Sequence, residues 1–131
     1  MFAGEPPAEC ERVYEAVRSA LNTGVDAVEP GATAGDVDAA ARGALAEHGY
    51  AEKFTHGTGH GVGLAAHERL AIADGETTEL EPGMVFSIEP GVYLEGEYGV
   101  RLEDLVVVTE DGCERLNNSP RTWRPLGDGE D

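Results

Sequence analysis

Apolar positions in the first half of the chain recur every three or four residues. Cys10, Val13, Tyr14, Val17 and Leu21 fall on one helical face. Pro6 and Pro7 suit the start of that helix, and Glu9 and Glu11 lie near the positive end of its dipole. Gly24 is predicted to end it. A second face is formed by Val37, Ala40, Ala41, Ala44 and Leu45. Thr33 and Asp36 have the spacing of an N-terminal cap, and Gly49 marks the stop. Both faces read as core. The pattern then changes to short β-branched runs between glycines. Met84–Ile88 follows a Glu81-Pro82-Gly83 turn and reads as a strand. Val92–Leu94 and Val100–Glu103 read as two more, with Leu105–Val108 continuing the last. Glu110-Asp111-Gly112 turns the chain into Cys113–Leu116, a hairpin. The expected class is α+β, two helices followed by an antiparallel sheet. The residues after Trp123 read as a frayed acidic end.

Composition narrows the function classes. The chain has 131 residues and a net charge of −17, from 26 acidic and 9 basic side chains, with Lys53 the single lysine. At 40% hydrophobic it has the apolar content of a folded domain, not of a disordered polyanion. The charge argues against nucleic acid and anionic membranes as partners. No apolar run is long enough to span a bilayer, and the first residues lack the pattern of a signal peptide, which points to the cytoplasm. The acids are spread along the chain, the mark of a surface adapted to high salt. The alternative is a surface that binds cations as a whole. Cys10 and Cys113 form no close pair and read as reduced structural residues.

Three motifs carry candidate chemistry. Three of the four histidines, His56, His60 and His67, fall within twelve residues, interleaved with glycines. Glycines allow close backbone approach to a ligand or a facing strand. The spacing does not fit a dinucleotide fingerprint. Glu89 follows the apolar run ending at Ile88, where a carboxylate needs a cation or a set of donors beside it. A bond to backbone amides at the Pro90-Gly91 turn would serve equally. In Val100-Arg101-Leu102-Glu103-Asp104, strand alternation sets Arg101 and Glu103 on one face and Val100, Leu102 and Asp104 on the other. An imidazole and two carboxylates on adjacent strands suit Mn²⁺, Fe²⁺, Co²⁺ or Zn²⁺ and metal-assisted hydrolysis.

The runs His56-Gly57-Thr58-Gly59-His60-Gly61-Val62-Gly63-Leu64, His67-Glu68, Glu81–Gly91 and Val100–Asp104 resemble the Xaa-Pro aminopeptidase and Xaa-Pro dipeptidase (prolidase) family. That family shares the pita-bread fold with methionine aminopeptidase. The resemblance implies a site for two metal ions held by two aspartates, one histidine and two glutamates. Carried over by motif, the ligands present are His60, Glu89 and Glu103, with Glu103 bridging the two ions. It further implies that Glu89 shuttles a proton, and that His56 and His67 line the substrate site and steady the tetrahedral intermediate. Arg101 would lie near the bridging carboxylate and bind substrate. The preference for Xaa-Pro bonds rests on the His67-Glu68 context.

The family's two aspartates lie upstream of the segment that Met1–Glu5 resembles. No aspartate precedes Asp26, and Asp26, Asp36 and Asp38 match no family motif. The expectation is therefore the C-terminal part of a metallopeptidase catalytic domain over residues 1–126, with an acidic tail at 127–131. Such a half-site would hold at most one ion well, Mn²⁺ first, with Co²⁺, Zn²⁺ or Fe²⁺ as alternatives. Weak or no hydrolysis of Xaa-Pro peptides is expected of this chain alone. The other readings are a non-catalytic peptide- or partner-binding module and one half of a split enzyme. The expected partners are a peptide substrate and either a second copy or a chain carrying the first half of the fold.

Overall fold

The structure is a computed structural model and describes residues 9–62, 70–94, 96 and 98–117. Pro6, Pro7 and the segment after Trp123 lie outside the described residues. Helix α1 (Glu9–Asp26) buries Val13, Val17 and Leu21 on the face that the spacing predicts. Helix α2 (Ala34–Glu47) opens on the expected cap: the Asp36 N–H donates to Thr33 Oγ1 at 3.0 Å and the Thr33 N–H to Asp36 Oδ2 at 2.9 Å. Gly49 follows α2 at φ +87°, the left-handed conformation of a C-terminal stop.

Gly24 does not end α1; the helix runs on to Asp26. A Cβ at Gly24 would lie 3.2 Å from Ile88 Cγ2 and 3.5 Å from Ala41 Cβ. The glycine therefore serves the close approach of α1 to α2 and the sheet rather than a break in the backbone.

Among the described residues seven strands follow, and every pairing is antiparallel. β1 (Gly59–His60) pairs with β2 (Ala71–Ile72). β3 (Val85–Ile88) pairs with β6 (Asp104–Thr109), which pairs with β7 (Gly112–Arg115) across the expected Glu110-Asp111 turn. β4 (Gly91–Leu94) pairs with β5 (Tyr98–Arg101). A bridge between Gly61 and Phe86 joins β1 to β3.

The expected run from Val100 through Val108 is thus two strands. β5 stops at Arg101 and β6 starts at Asp104, each in a different ladder. Proline is the physical cause. Pro90 has no N–H to continue the ladder between β3 and β4, and its carbonyl accepts the Leu102 N–H at 3.3 Å. Both breaks fall at one corner. The register on either side is the same, with Ile88 opposite Asp104 and Gly91 opposite Arg101. Carried across the corner, it sets Glu89 opposite Glu103.

Two apolar clusters hold these layers. One joins Val13, Val17 and Ala20 of α1 to Ala41 and Leu45 of α2, Phe54 and Val92. The other packs Leu21 and Val37 on Ile72, Phe86, Ile88 and Val106. Cys10 and Cys113 are free thiols, and burial raises the pKa of Cys113. Among the described residues no helix is long and apolar enough to cross a membrane.

Candidate active site

β1 enters the site between β2 and β3, and its backbone must come very close to β3. A Cβ on Gly59 would overlap the carbonyl of Ser87, so only glycine permits this approach. It brings the His60 N–H within 3.1 Å of Ser87 Oγ, which accepts it. The same hydroxyl donates to Glu89 Oε2 at 2.7 Å. Ser87, fully buried, therefore ties the backbone of one candidate ligand to the carboxylate of the other.

The two side chains meet. His60 Nε2 lies 3.1 Å from Glu89 Oε2. Both ring nitrogens face oxygens that only accept: Nδ1 lies 3.1 Å from the Gly61 carbonyl, and Nε2 faces Glu89 Oε2. The contact becomes attractive when a proton or a metal cation lies between the two atoms. Donors on adjacent corners of an octahedron with ~2.1 Å bonds are about 3 Å apart, which matches the observed spacing. The donor chemistry and spacing of His60 and Glu89 thus fit a divalent ion. Arg101 Nη1 lies 3.8 Å from the other oxygen of Glu89.

His56 sits deeper, beside β4. Its Nδ1–H donates to the Gly57 carbonyl at 2.7 Å, and its Nε2 takes the Tyr93 hydroxyl at 2.6 Å. Its ring stacks edge-on against Phe54 with centroids 4.9 Å apart. The Tyr93 ring lies across two glycines: a Cβ on Gly99 would come within 2.7 Å of its Cδ1, and one on Gly91 within 2.5 Å of its hydroxyl.

Of the expected site residues, the structure joins His60, Glu89 and Arg101 and places His56 against Tyr93. Glu103 lies exposed at the corner opposite Glu89, and Arg101 and Glu103 are both exposed, as alternation predicts. Among the described residues no three His, Cys, Asp or Glu side chains gather as a metal-holding group. His67 and Glu68 lie outside the described residues. Sequence reasoning missed Ser87, Tyr93 and Asp104. Ser87 carried a signal, a hydroxyl inside a buried apolar strand. Asp104 is buried, ion-paired with Arg115 Nε at 3.0 Å and bonded to Asn117 Nδ2 at 2.9 Å, and so anchors the chain directly after Glu103.

A helix pair backs antiparallel ladders, and a strand corner brings an imidazole beside a carboxylate. Comparison with known proteins is more specific. The chain belongs to metallopeptidase family M24, whose model matches residues 1–110. It is 50% identical over 117 residues to the probable dipeptidase PepE of Mycobacterium tuberculosis, covering 89% of this chain and 31% of that protein. With the Xaa-Pro dipeptidase of Pyrococcus horikoshii it shares 42% identity over 121 residues, 92% of this chain and 34% of the relative. The crystal structure of dipeptidase PepE from Mycobacterium ulcerans superposes with a TM-score of 0.88 at 48% identity, over 95% of this chain and 33% of that one. The chain thus spans about a third of the length of the relatives it matches.

Proposed function

We propose that this chain supplies the histidine–glutamate part of a metal-dependent peptidase site of the Xaa-Pro type, acting on peptides in the cytoplasm. The observation that carries the reading is the corner itself: His60 Nε2 lies 3.1 Å from Glu89, and the strand register sets Glu103 opposite Glu89. His60, Glu89 and Glu103 would hold the ion, for which Mn²⁺ is proposed and Co²⁺, Zn²⁺ or Fe²⁺ also suit the donors. A bound ion of this kind polarises the scissile carbonyl and supplies a nucleophilic water near neutral pH. The protein's own groups do the rest. Ser87 fixes Glu89 Oε2, which leaves Oε1 as the atom placed to carry a proton from the attacking water to the leaving nitrogen. Arg101 lies beside Oε1 and is proposed to reach toward substrate. His56, braced by Tyr93, and His67 are proposed to hold the substrate and steady the oxyanion.

Weak or no turnover is proposed for the isolated chain, because it carries three of the five ligands that the family resemblance implies. The test is a chimera in which this chain replaces the matching segment of a PepE-type dipeptidase. Metal-dependent cleavage of an Xaa-Pro dipeptide, abolished by His60→Ala and by Glu89→Gln, is the expected result. A folded chimera that binds peptide and metal without cleaving would reject the catalytic reading and favour a non-catalytic binding module.

A further inference from the structure

The core face of α2 carries a carboxylate. Asp38 is 1% exposed, on the same face as Ala34, Ala41 and Leu45. Burying an ion pair where apolar residues would pack gains little stability by itself. The partners of Asp38 all lead to the histidine loop. Arg42 Nε donates to Oδ2 at 3.0 Å and Arg42 Nη2 to Oδ1 at 2.9 Å, a two-pronged contact within one helical turn. Thr58 Oγ1 donates to Oδ1 at 2.7 Å.

Arg42 also grips the loop directly. Its Nη1 donates to the Phe54 carbonyl at 3.2 Å and its Nη2 to the His56 carbonyl at 3.1 Å. Its guanidinium carbon lies 4.4 Å from the centroid of the Phe54 ring, the same ring that meets His56 edge-on. Thr58 carries the connection onward. Its N–H donates to the Ile72 carbonyl at 2.7 Å, and its own carbonyl accepts the Glu89 N–H at 2.6 Å. One planar cation and one carboxylate therefore orient the backbone on both sides of His56 and, through Thr58, the backbone of Glu89.

We propose that Asp38 and Arg42 are positioning residues: from α2 they set His56 against Tyr93 and, through Thr58, set Glu89 beside His60. The link to peptide cleavage rests on the function proposed above; the positioning itself does not. A scaffold role alone would make these groups matter only for folding. Positioning makes them matter to the His56 ring in protein that remains folded.

The test compares Thr58→Val, which removes the hydroxyl at nearly constant shape, with Thr58→Ser, which keeps it, and with Arg42→Lys, which keeps the charge but loses the fork. The readout is the imidazole ¹⁵N–¹H spectrum of the 131-residue chain, with the His56 signals assigned by their loss in His56→Gln. In folded Thr58→Val and Arg42→Lys the His56 ring signals are expected to shift or broaden, and Thr58→Ser is expected to restore them. Unchanged His56 signals in folded Thr58→Val and Arg42→Lys would overturn the proposal. Asp38→Asn, which keeps the carboxyl shape, replaces either variant that does not fold and is judged by the same two outcomes. In the chimera, Thr58→Val is expected to lower kcat about tenfold or more with little change in KM, again rescued by serine. A chimera with no peptidase activity would defeat the proposed function and leave the imidazole spectrum to decide the positioning.

Discussion

Ser87 shows how much one hydroxyl can organise. It is fully buried, accepts from the His60 backbone and donates to Glu89. Ser87→Ala leaves the part-buried His60 N–H without this acceptor and the Glu89 carboxylate without this donor, at a cost of ~1–3 kcal/mol. Urea unfolding is expected to show that loss. Calorimetry is expected to show metal affinity reduced by roughly 10–100-fold, the usual effect of removing a group that orients a ligand. Unchanged affinity would mean that Ser87 serves the fold alone. At this scale legibility followed locality. The Thr33–Asp36 cap was readable because both partners lie within one turn and their bonds are set by helix geometry. Asp38 was not. Its partners Thr58 and, through Arg42, His56 lie far along the chain.

The elements were readable wherever a single period ran between clear stops. α2 and the β6–β7 hairpin are of this kind, each closed by its own turn or cap residues. α1 was mis-ended at Gly24 because a glycine in sequence looks the same whether it breaks a helix or admits a neighbour. The β5–β6 break was hidden because the alternation of exposed Arg101 and Glu103 with inward Leu102 and Asp104 continues through it. Only the partner strand, interrupted at Pro90, reveals the corner. The close crossing of β1 over β3 makes a further prediction. Gly59→Ala forces a side chain onto the Ser87 carbonyl, and overpacking of this kind costs ~1–3 kcal/mol. Unfolding measurements are expected to show at least that loss, with the Gly61–Phe86 bridge opened in amide exchange. An alanine variant as stable as the parent, with the bridge still protected, would refute the close crossing.

For the whole molecule, the charge of −17 is a property mainly of the surface, and only Glu89 and Glu103 of its 26 acids are assigned to the proposed metal site. Self-repulsion on this scale is relieved by salt, since the screening length falls from ~10 Å at 0.1 M to ~3 Å at 1 M. The melting temperature is expected to climb as KCl is raised over that range. A flat or falling trend would reject adaptation to high salt. The same charge makes nonspecific cation binding the main rival to a specific site, so the decisive measurement must show where an ion sits. Mn²⁺ titrated into ¹⁵N-labelled protein broadens signals near the ion. Saturable broadening confined to His60, Glu89, Glu103 and their strand neighbours, and lost in His60→Ala, is expected. Broadening spread over the acidic surface and indifferent to His60→Ala would contradict the proposed site.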